Sequence, residues 1–220
     1  ATNALIERRG AVVATVTTKG FRDILEIAYE RRYSQYDINL VKPDLIVPRS
    51  SAFTIGGRMD ARGRELEPLE EVSLARLVEE LTASGAEAVA ICLMHAYANP
   101  VHELRLRDLL QARMPDLVIS LSHEVSPEAR EFDRLSTTIA NAYIQPQMAS
   151  YLAGFQARFN DEGLTCPILM MTASGGMTTM ETAARLPIRL VESGHGGGAN
   201  LAARICGETS EREVLSFDMG

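Results

Sequence analysis

Short apolar runs rich in valine and isoleucine alternate along this 220-residue chain with stretches whose apolar residues recur at helical spacing. That alternation constrains the fold more than any other feature. Runs such as residues 11–18 (AVVATVTT) and 87–94 (EAVAICLM) are apolar almost throughout. Strands of that kind need cover on both faces, which a parallel sheet with crossover helices provides. Residues 117–122, 167–172, 188–192 and 213–217 are further strand candidates. Between them, residues 70–84 carry Leu74, Leu77, Val78 and Leu81 on one stripe, with Gly85 as C-cap. Residues 101–113 offer Val101, Leu104, Leu109 and Leu110 as a second apolar face. A third helix is expected to open with Ser126 as N-cap, Pro127 as first helical residue and Glu128 in the first turn. It runs toward Tyr143, kinks or breaks near Pro146, and resumes with Met148, Leu152, Phe155 and Phe159 on one side. Strands alternating with helices in this way predict an α/β fold with a largely parallel sheet and flanking helices.

Residues 43–68 interrupt the pattern. They hold three of the nine prolines and read as a hairpin turning around Asp60-Ala61-Arg62-Gly63, projecting from the sheet or crossing between lobes. Composition closes off several classes. A chain that is 46% hydrophobic and 23% charged is ordinary for a folded domain, and a net charge of −7 argues against a protein that tracks nucleic-acid phosphates. Cys92, Cys166 and Cys206 lie far apart with no CxxC spacing, which reads as reduced cysteines of an intracellular, cytoplasmic protein. No stretch reaches the roughly 18 apolar residues of a membrane span. The chain opens on Ala1 and stops at Phe217-Asp218-Met219-Gly220, in mid-turn, so a piece of a longer polypeptide is expected.

The chemistry concentrates in residues 188–198, IRLVESGHGGG, which lead into the helix-like ANLAARIC. Strand, glycine turn and helix N-terminus together hold phosphate, because glycines admit a close backbone and free amides attract the anion. Gly194-x-Gly196-x-x-Ala199 with Asp218 beyond it also satisfies the dinucleotide fingerprint, so NAD binding stays open beside a plain packing turn. Only Lys19 and Lys42 are lysines, and neither stands in a GxxxxGK[ST] context, which excludes a Walker site. A second glycine turn, Ser174-Gly175-Gly176, follows strand 167–172, and a third begins at Asp218-Met219-Gly220. If all three strands are parallel, their carboxyl ends share one edge and the turns converge on one ligand.

His95 and His123 each end a strand candidate, with Glu124 and Glu128 near the second. Parallel neighbours would bring both imidazoles to one sheet edge, a candidate metal or acid–base cluster, although a hydrogen-bonded loop histidine gives the same pattern. His102 falls in the first turn of a helix and reads as structural. Glu124, Glu128, Glu131 and Asp133 read as a solvated, dipole-complementing cluster. No Gly-x-Ser-x-Gly elbow is present.

The ordered set ATNALIERRG, VTTKGFRDILEI, ICLMHAYANPVHE, SHEVSPEAREFDRLSTTIANAYI, SGGM, ESGHGGG and LSFDMG closely resembles the hydantoinase A / 5-oxoprolinase family over essentially the whole chain. The resemblance implies a two-lobed, actin-like ATPase architecture with ATP between the lobes. It implies ATP-dependent opening of a cyclic amide, such as a hydantoin, 5-oxoproline or a lactam, by phosphorylation of the amide oxygen. Related acetone and acetophenone carboxylases activate ketones, which is the alternative activity; a non-catalytic assembly module is a third reading. By resemblance Ser174, Gly175, Gly176, Ser193, Gly194, Gly196, Gly197, Asp218 and Gly220 lie toward ATP and its Mg2+; a second divalent metal would take His95 and His123, on their strand-end placement and not on the resemblance. A second large subunit is implied as partner. On this reading residues 1–68 end an N-terminal lobe, 69–165 form a central α/β segment, and 166–220 start a glycine-rich nucleotide-binding lobe. The family usually has proline where His195 stands, and an imidazole there either pairs with a phosphate or blocks the turn. Family chains also begin with another glycine-rich phosphate loop and continue past DMG. Phosphoryl transfer is nearly all positioning and charge stabilisation, so a fragment with half a clamp is expected to be inactive alone.

Overall fold

All six residues of Val13–Thr18 are buried, as are all five of Ala88–Cys92, so the two most apolar runs become the middle of a sheet. The computed structural model describes residues 1–30, 34, 36–209 and 213–217. Its elements are α1 (Thr2–Ile6), β1 (Val13–Thr18), α2 (Ile24–Ile27), β2 (Ala52–Ile55), β3 (Arg58–Met59) and β4 (Glu65–Glu67). There follow α3 (Leu74–Ala83), β5 (Ala88–Cys92), α4 (Val101–Gln111), β6 (Val118–Leu121), α5 (Ser122–Val125) and α6 (Glu131–Asp161). The last elements are β7 (Leu169–Met171), β8 (Met177–Thr179), α7 (Met180–Arg185) and α8 (Ser193–Thr209). Residues 11–143 form one compact unit; residues 1–10 and 144–220 form the other. These divisions do not coincide with the segment boundaries near 68 and 165 read from the sequence.

In the first unit β2, β1, β5 and β6 lie in that order, and every pairing is parallel. Strand side chains alternate between faces. Ala14, Val16, Val89, Ile91 and Leu121 point into a core that also takes Leu74, Leu77 and Leu81 of α3 and Leu106 and Leu110 of α4. The intervening positions are small or polar: Thr15, Thr17, Ala88, Ala90 and Ser120. Asn141 Nδ2 donates to Ser120 Oγ at 3.0 Å, which seats the first half of α6 against that opposite face. Helices thus cover both sides of the sheet, as strands without a polar face require.

Of the hairpin expected over residues 43–68, residues 58–67 form one, as antiparallel β3 and β4 closed by Gly63 N donating to Asp60 O at 2.9 Å. β2 lies within the same proline-rich stretch yet joins the main sheet, which the hairpin reading of that stretch did not anticipate. On α4 the buried residues are His102, Glu103, Leu106 and Leu110, while Val101 is exposed, so the buried face is rotated from the apolar stripe. α6 starts at Glu131 rather than at Ser126, because the Arg134 guanidinium takes the carbonyl oxygens of Glu128 and Ala129 and holds that stretch out of the helix. It continues through Pro146 without a break. Ala142, Tyr143 and Ile144 are buried beside it, and packing of that kind holds a helix together where one amide donor is missing.

The second unit departs further from expectation. β7 pairs with β8 antiparallel, so residues 167–172 belong to a hairpin and not to a parallel sheet. Residues 187–190 form a 3-10 turn where a strand at 188–192 was expected, and residues 213–217 take no regular structure. Pro187 opens that turn, and Leu190 is buried with Leu152 and Ala183. A short apolar run satisfies a buried turn as well as a strand.

Leu106 is fully buried in the core of the first unit. Leu106→Ala is predicted to lower stability by about 2–5 kcal/mol in urea unfolding, the range for a cavity that cannot collapse.

Candidate functional site

Residues 172–176 connect β7 to β8. Thr172 N donates to Gly176 O at 2.9 Å, Gly175 N donates to Thr172 O at 3.0 Å, and the Thr172 hydroxyl donates to Gly176 O at 3.1 Å. Gly175 has φ +80°, the left-handed region that glycine enters without strain. This is a hairpin turn, so it cannot share the carboxyl edge of a parallel sheet with its neighbours. α8 begins at Ser193, and Gly194, Gly196, Gly197 and Gly198 lie inside its first turns rather than in a loop before it. No strand precedes it, which removes the strand–turn–helix context of the dinucleotide fingerprint and with it the NAD reading.

The turn and the helix nevertheless meet. A Cβ on Gly196 would stand 2.8 Å from Ala173 O, 3.0 Å from Gly175 N and 3.0 Å from Thr172 O. Only glycine lets the α8 backbone lie this close to the turn. Asn200, one helical turn on, donates from Nδ2 to Gly175 O at 2.6 Å. Gly197 and Gly198 face Met171 and Ser216, with a built Cβ 3.6 Å from each side chain. Among the sequence candidates, Ser174, Gly175 and Gly176 are therefore brought beside the start of the helix that carries Ser193, Gly194, Gly196 and Gly197. Asp218 and Gly220 lie outside the described residues. His195 sits exposed in the first turn of α8. The first amides of a helix have no intrahelical acceptor and, with the helix dipole, attract anions.

A cleft of about 460 Å³ borders the same turn, lined by Thr172, Ala173, Ser174, Gly176, Met177, Thr178 and Arg189. Among the described residues its lining carries hydroxyl side chains and one arginine. Arg189 was not among the sequence candidates, since it falls within a run that reads as a strand interior.

His95 and His123 follow β5 and β6, adjacent parallel strands, and so lie off one sheet edge as anticipated. Among the described residues no group of three or more His, Cys, Asp or Glu side chains is placed to hold an ion. His123 Nδ1 instead stands 2.7 Å from Glu103 Oε2. Glu103 is fully buried and also accepts from Leu93 N at 2.9 Å, the Ser122 hydroxyl at 2.6 Å and His123 N at 3.1 Å. Arg134, equally buried, donates to Ser122 Oγ and to Leu93 O, both at 3.1 Å, and lies over the Tyr97 ring. His95 Nδ1 is 3.2 Å from Tyr97 Oη. Burial pushes the thiol of neighbouring Cys92 up to about 11, which leaves it protonated and unreactive at neutral pH. Sequence reasoning missed Glu103 and Arg134; the one signal for Glu103 is its place on the Leu106–Leu110 stripe of α4.

A doubly covered parallel sheet and a glycine-packed hairpin and helix define an α/β protein of the type found in ATP-dependent caprolactamase. The crystal structure of that enzyme from Pseudomonas jessenii superposes with a TM-score of 0.85 at 30% identity, over 96% of this chain and 31% of that one. A nucleotide-free acetone carboxylase structure shares the fold with a TM-score of 0.82 at 24% identity, over 95% of this chain and 31% of that one. Residues 1–114 match the hydantoinase/oxoprolinase N-terminal region and residues 134–220 match hydantoinase/oxoprolinase. The chain belongs to the hydantoinase/oxoprolinase family. It is 33% identical over 208 residues to an uncharacterised Methanocaldococcus jannaschii protein, covering 94% of this chain and 31% of that protein. It is 31% identical over 222 residues to caprolactamase subunit alpha of Pseudomonas jessenii, covering 100% of this chain and 32% of the relative. The chain thus spans about a third of the length of these relatives.

Two glycines of α8 test the contact. A Cβ on Gly207 meets nothing within 4 Å, so Gly207→Ala is predicted to stabilise by about 0.5–1 kcal/mol through helix propensity. Gly196→Ala must push the helix off the turn and is predicted to destabilise by about 1–3 kcal/mol. Paired urea denaturation curves check the opposite signs.

Proposed function

We propose that this chain is part of an ATP-dependent enzyme of the hydantoinase/oxoprolinase type that opens a cyclic amide. The observation that carries the reading is the contact of Gly196 with residues 172–175, which sets a rigid turn beside a helix start. The residues present suit a nucleotide's phosphates: backbone amides at the start of α8, the Ser174 hydroxyl, and glycines that keep side chains out of the way. Ser174, Gly175, Gly176, Ser193, Gly194, Gly196 and Gly197 would hold ATP with its Mg2+, and Asp218 and Gly220 join them as candidates. ATP, when bound, supplies the phosphoryl group that makes the ring carbonyl carbon electrophilic. The chain's own part is to orient phosphate oxygens and to balance their charge, both of which fixed amide dipoles do at no reorganisation cost. His95 and His123 take no part in metal chemistry on this reading, since their nearest polar neighbours are Tyr97 and Glu103.

Two relatives carry subunit names, caprolactamase subunit alpha and, from Aromatoleum aromaticum, acetophenone carboxylase gamma subunit. A second large subunit is accordingly proposed as partner, and a two-lobed actin-like ATPase as the whole architecture. Among the described residues no helix is long and apolar enough to cross a membrane, which suits a cytosolic enzyme acting on a small ring. The acetophenone carboxylase relative supports ketone activation as the second reading.

The test is phosphate release from Mg-ATP by the full-length parent with its partner subunit. Release stimulated by a hydantoin, 5-oxoproline or a lactam, with a ring-opened product in step, is the expected outcome. Release that needs a ketone and bicarbonate instead moves the assignment to the carboxylases.

A further inference from the structure

Arg189 occupies a place that neither sequence motifs nor the hydantoinase/oxoprolinase match assigns. It lies in the 3-10 turn Pro187–Leu190, whose Pro187 and Leu190 are buried and so anchor it on both sides. Its own backbone is fixed twice. Arg189 N donates to Leu186 O at 3.1 Å, and Arg189 O accepts from Ala173 N at 2.9 Å, inside the hairpin turn itself. The root of the side chain is therefore rigid with respect to residues 172–176.

Arg189 lines the roughly 460 Å³ cleft together with Thr172, Ser174 and Thr178, and it is exposed. No ion pair within the described residues includes it, whereas Arg49, Arg64, Arg76, Arg105 and Arg204 each hold a carboxylate. Thr172 Oγ1 and Ser174 Oγ are 3.0 Å apart, and the Thr172 hydroxyl donates to Gly176 O. Ser174 is exposed, and with the Thr172 proton on Gly176 O its hydroxyl donates to Thr172 Oγ1, a bond it would exchange for one to a bound anion. A planar five-donor cation beside hydroxyl groups recognises an oxyanion. We infer that Arg189 is the cationic contact of this cleft and holds a phosphate oxygen of the bound nucleotide. The inference rests on the nucleotide reading for the identity of the anion, but on the cleft alone for its charge.

Calorimetric titration of the 220-residue chain with Mg-ATP, inorganic tripolyphosphate, adenosine and 5-oxoproline tests it. Arg189→Gln is expected to weaken Mg-ATP and tripolyphosphate roughly 10–100-fold, the size of one charged hydrogen-bonded contact. Arg189→Lys should recover part of the loss, because a point charge replaces the fork. Arg204→Gln, on the same unit but already paired with Glu208, serves as control and should leave the affinity unchanged. Wild-type affinity for tripolyphosphate in Arg189→Gln overturns the inference while leaving the nucleotide reading in place. Arg189-dependent binding of 5-oxoproline without any phosphate binding overturns the nucleotide reading and keeps Arg189 as an oxyanion contact. A wild-type chain that binds none of the anions overturns both.

Discussion

The approach of one helix backbone to one hairpin turn governs the arrangement of the candidate site. At Gly196 the distance left for a side chain is 2.8 Å, shorter than any real Cβ contact, so the absence of a side chain is what allows α8 and residues 172–175 to touch. Asn200 then ties the helix to Gly175 O, and the tie that fixes Arg189 to Ala173 N works on the same turn. Three elements within residues 172–200 are thus held together by one main-chain bond, one side-chain amide bond and one close backbone approach. Sites that must aim dipoles at an anion benefit from such rigidity, because oriented amides need not reorganise when the charge arrives.

The first unit rests on a different device. Its sheet buries large aliphatic residues on one face and small or polar ones on the other, and α6 docks on the second face through Asn141 and Arg134. Glu103, with four donors converging on its carboxylate, joins α4 to the loop after β5 and to α5 after β6. A buried carboxylate without those partners would cost several kcal/mol, so the network fixes where the strand ends lie. His123 belongs to this network, which accounts for its place at the sheet edge without a metal.

The parallel sheet was legible because β1, β5 and β6 are continuous apolar runs with no polar face, and the β3–β4 hairpin because Asp60 and Gly63 carry turn chemistry. Residues 188–192 misled because IRLV has the composition of a strand, whereas buried Pro187 and Leu190, the latter packed with Leu152, belong to a turn closed by Arg189 N donating to Leu186 O. Gly196 and Ser174 were legible as candidates from glycine spacing, but the reason they meet was not. A parallel-sheet edge was anticipated, and an antiparallel hairpin packed on a helix does the work. Glu103 was hidden for another reason: a charged residue on an apolar stripe reads as a flaw in the stripe until its four donors are seen.

The most direct measurement of the central claim is amide chemical-shift mapping of the isotopically labelled chain during titration with Mg-ATP. If the turn and the helix start form one phosphate site, amides of residues 172–176 and 193–198 shift together with a single saturation curve. Amides of the sheet, such as those of Val89 and Ile119, stay in place. Shifts confined to residues 11–143, or none in either segment at saturating nucleotide, would contradict the account.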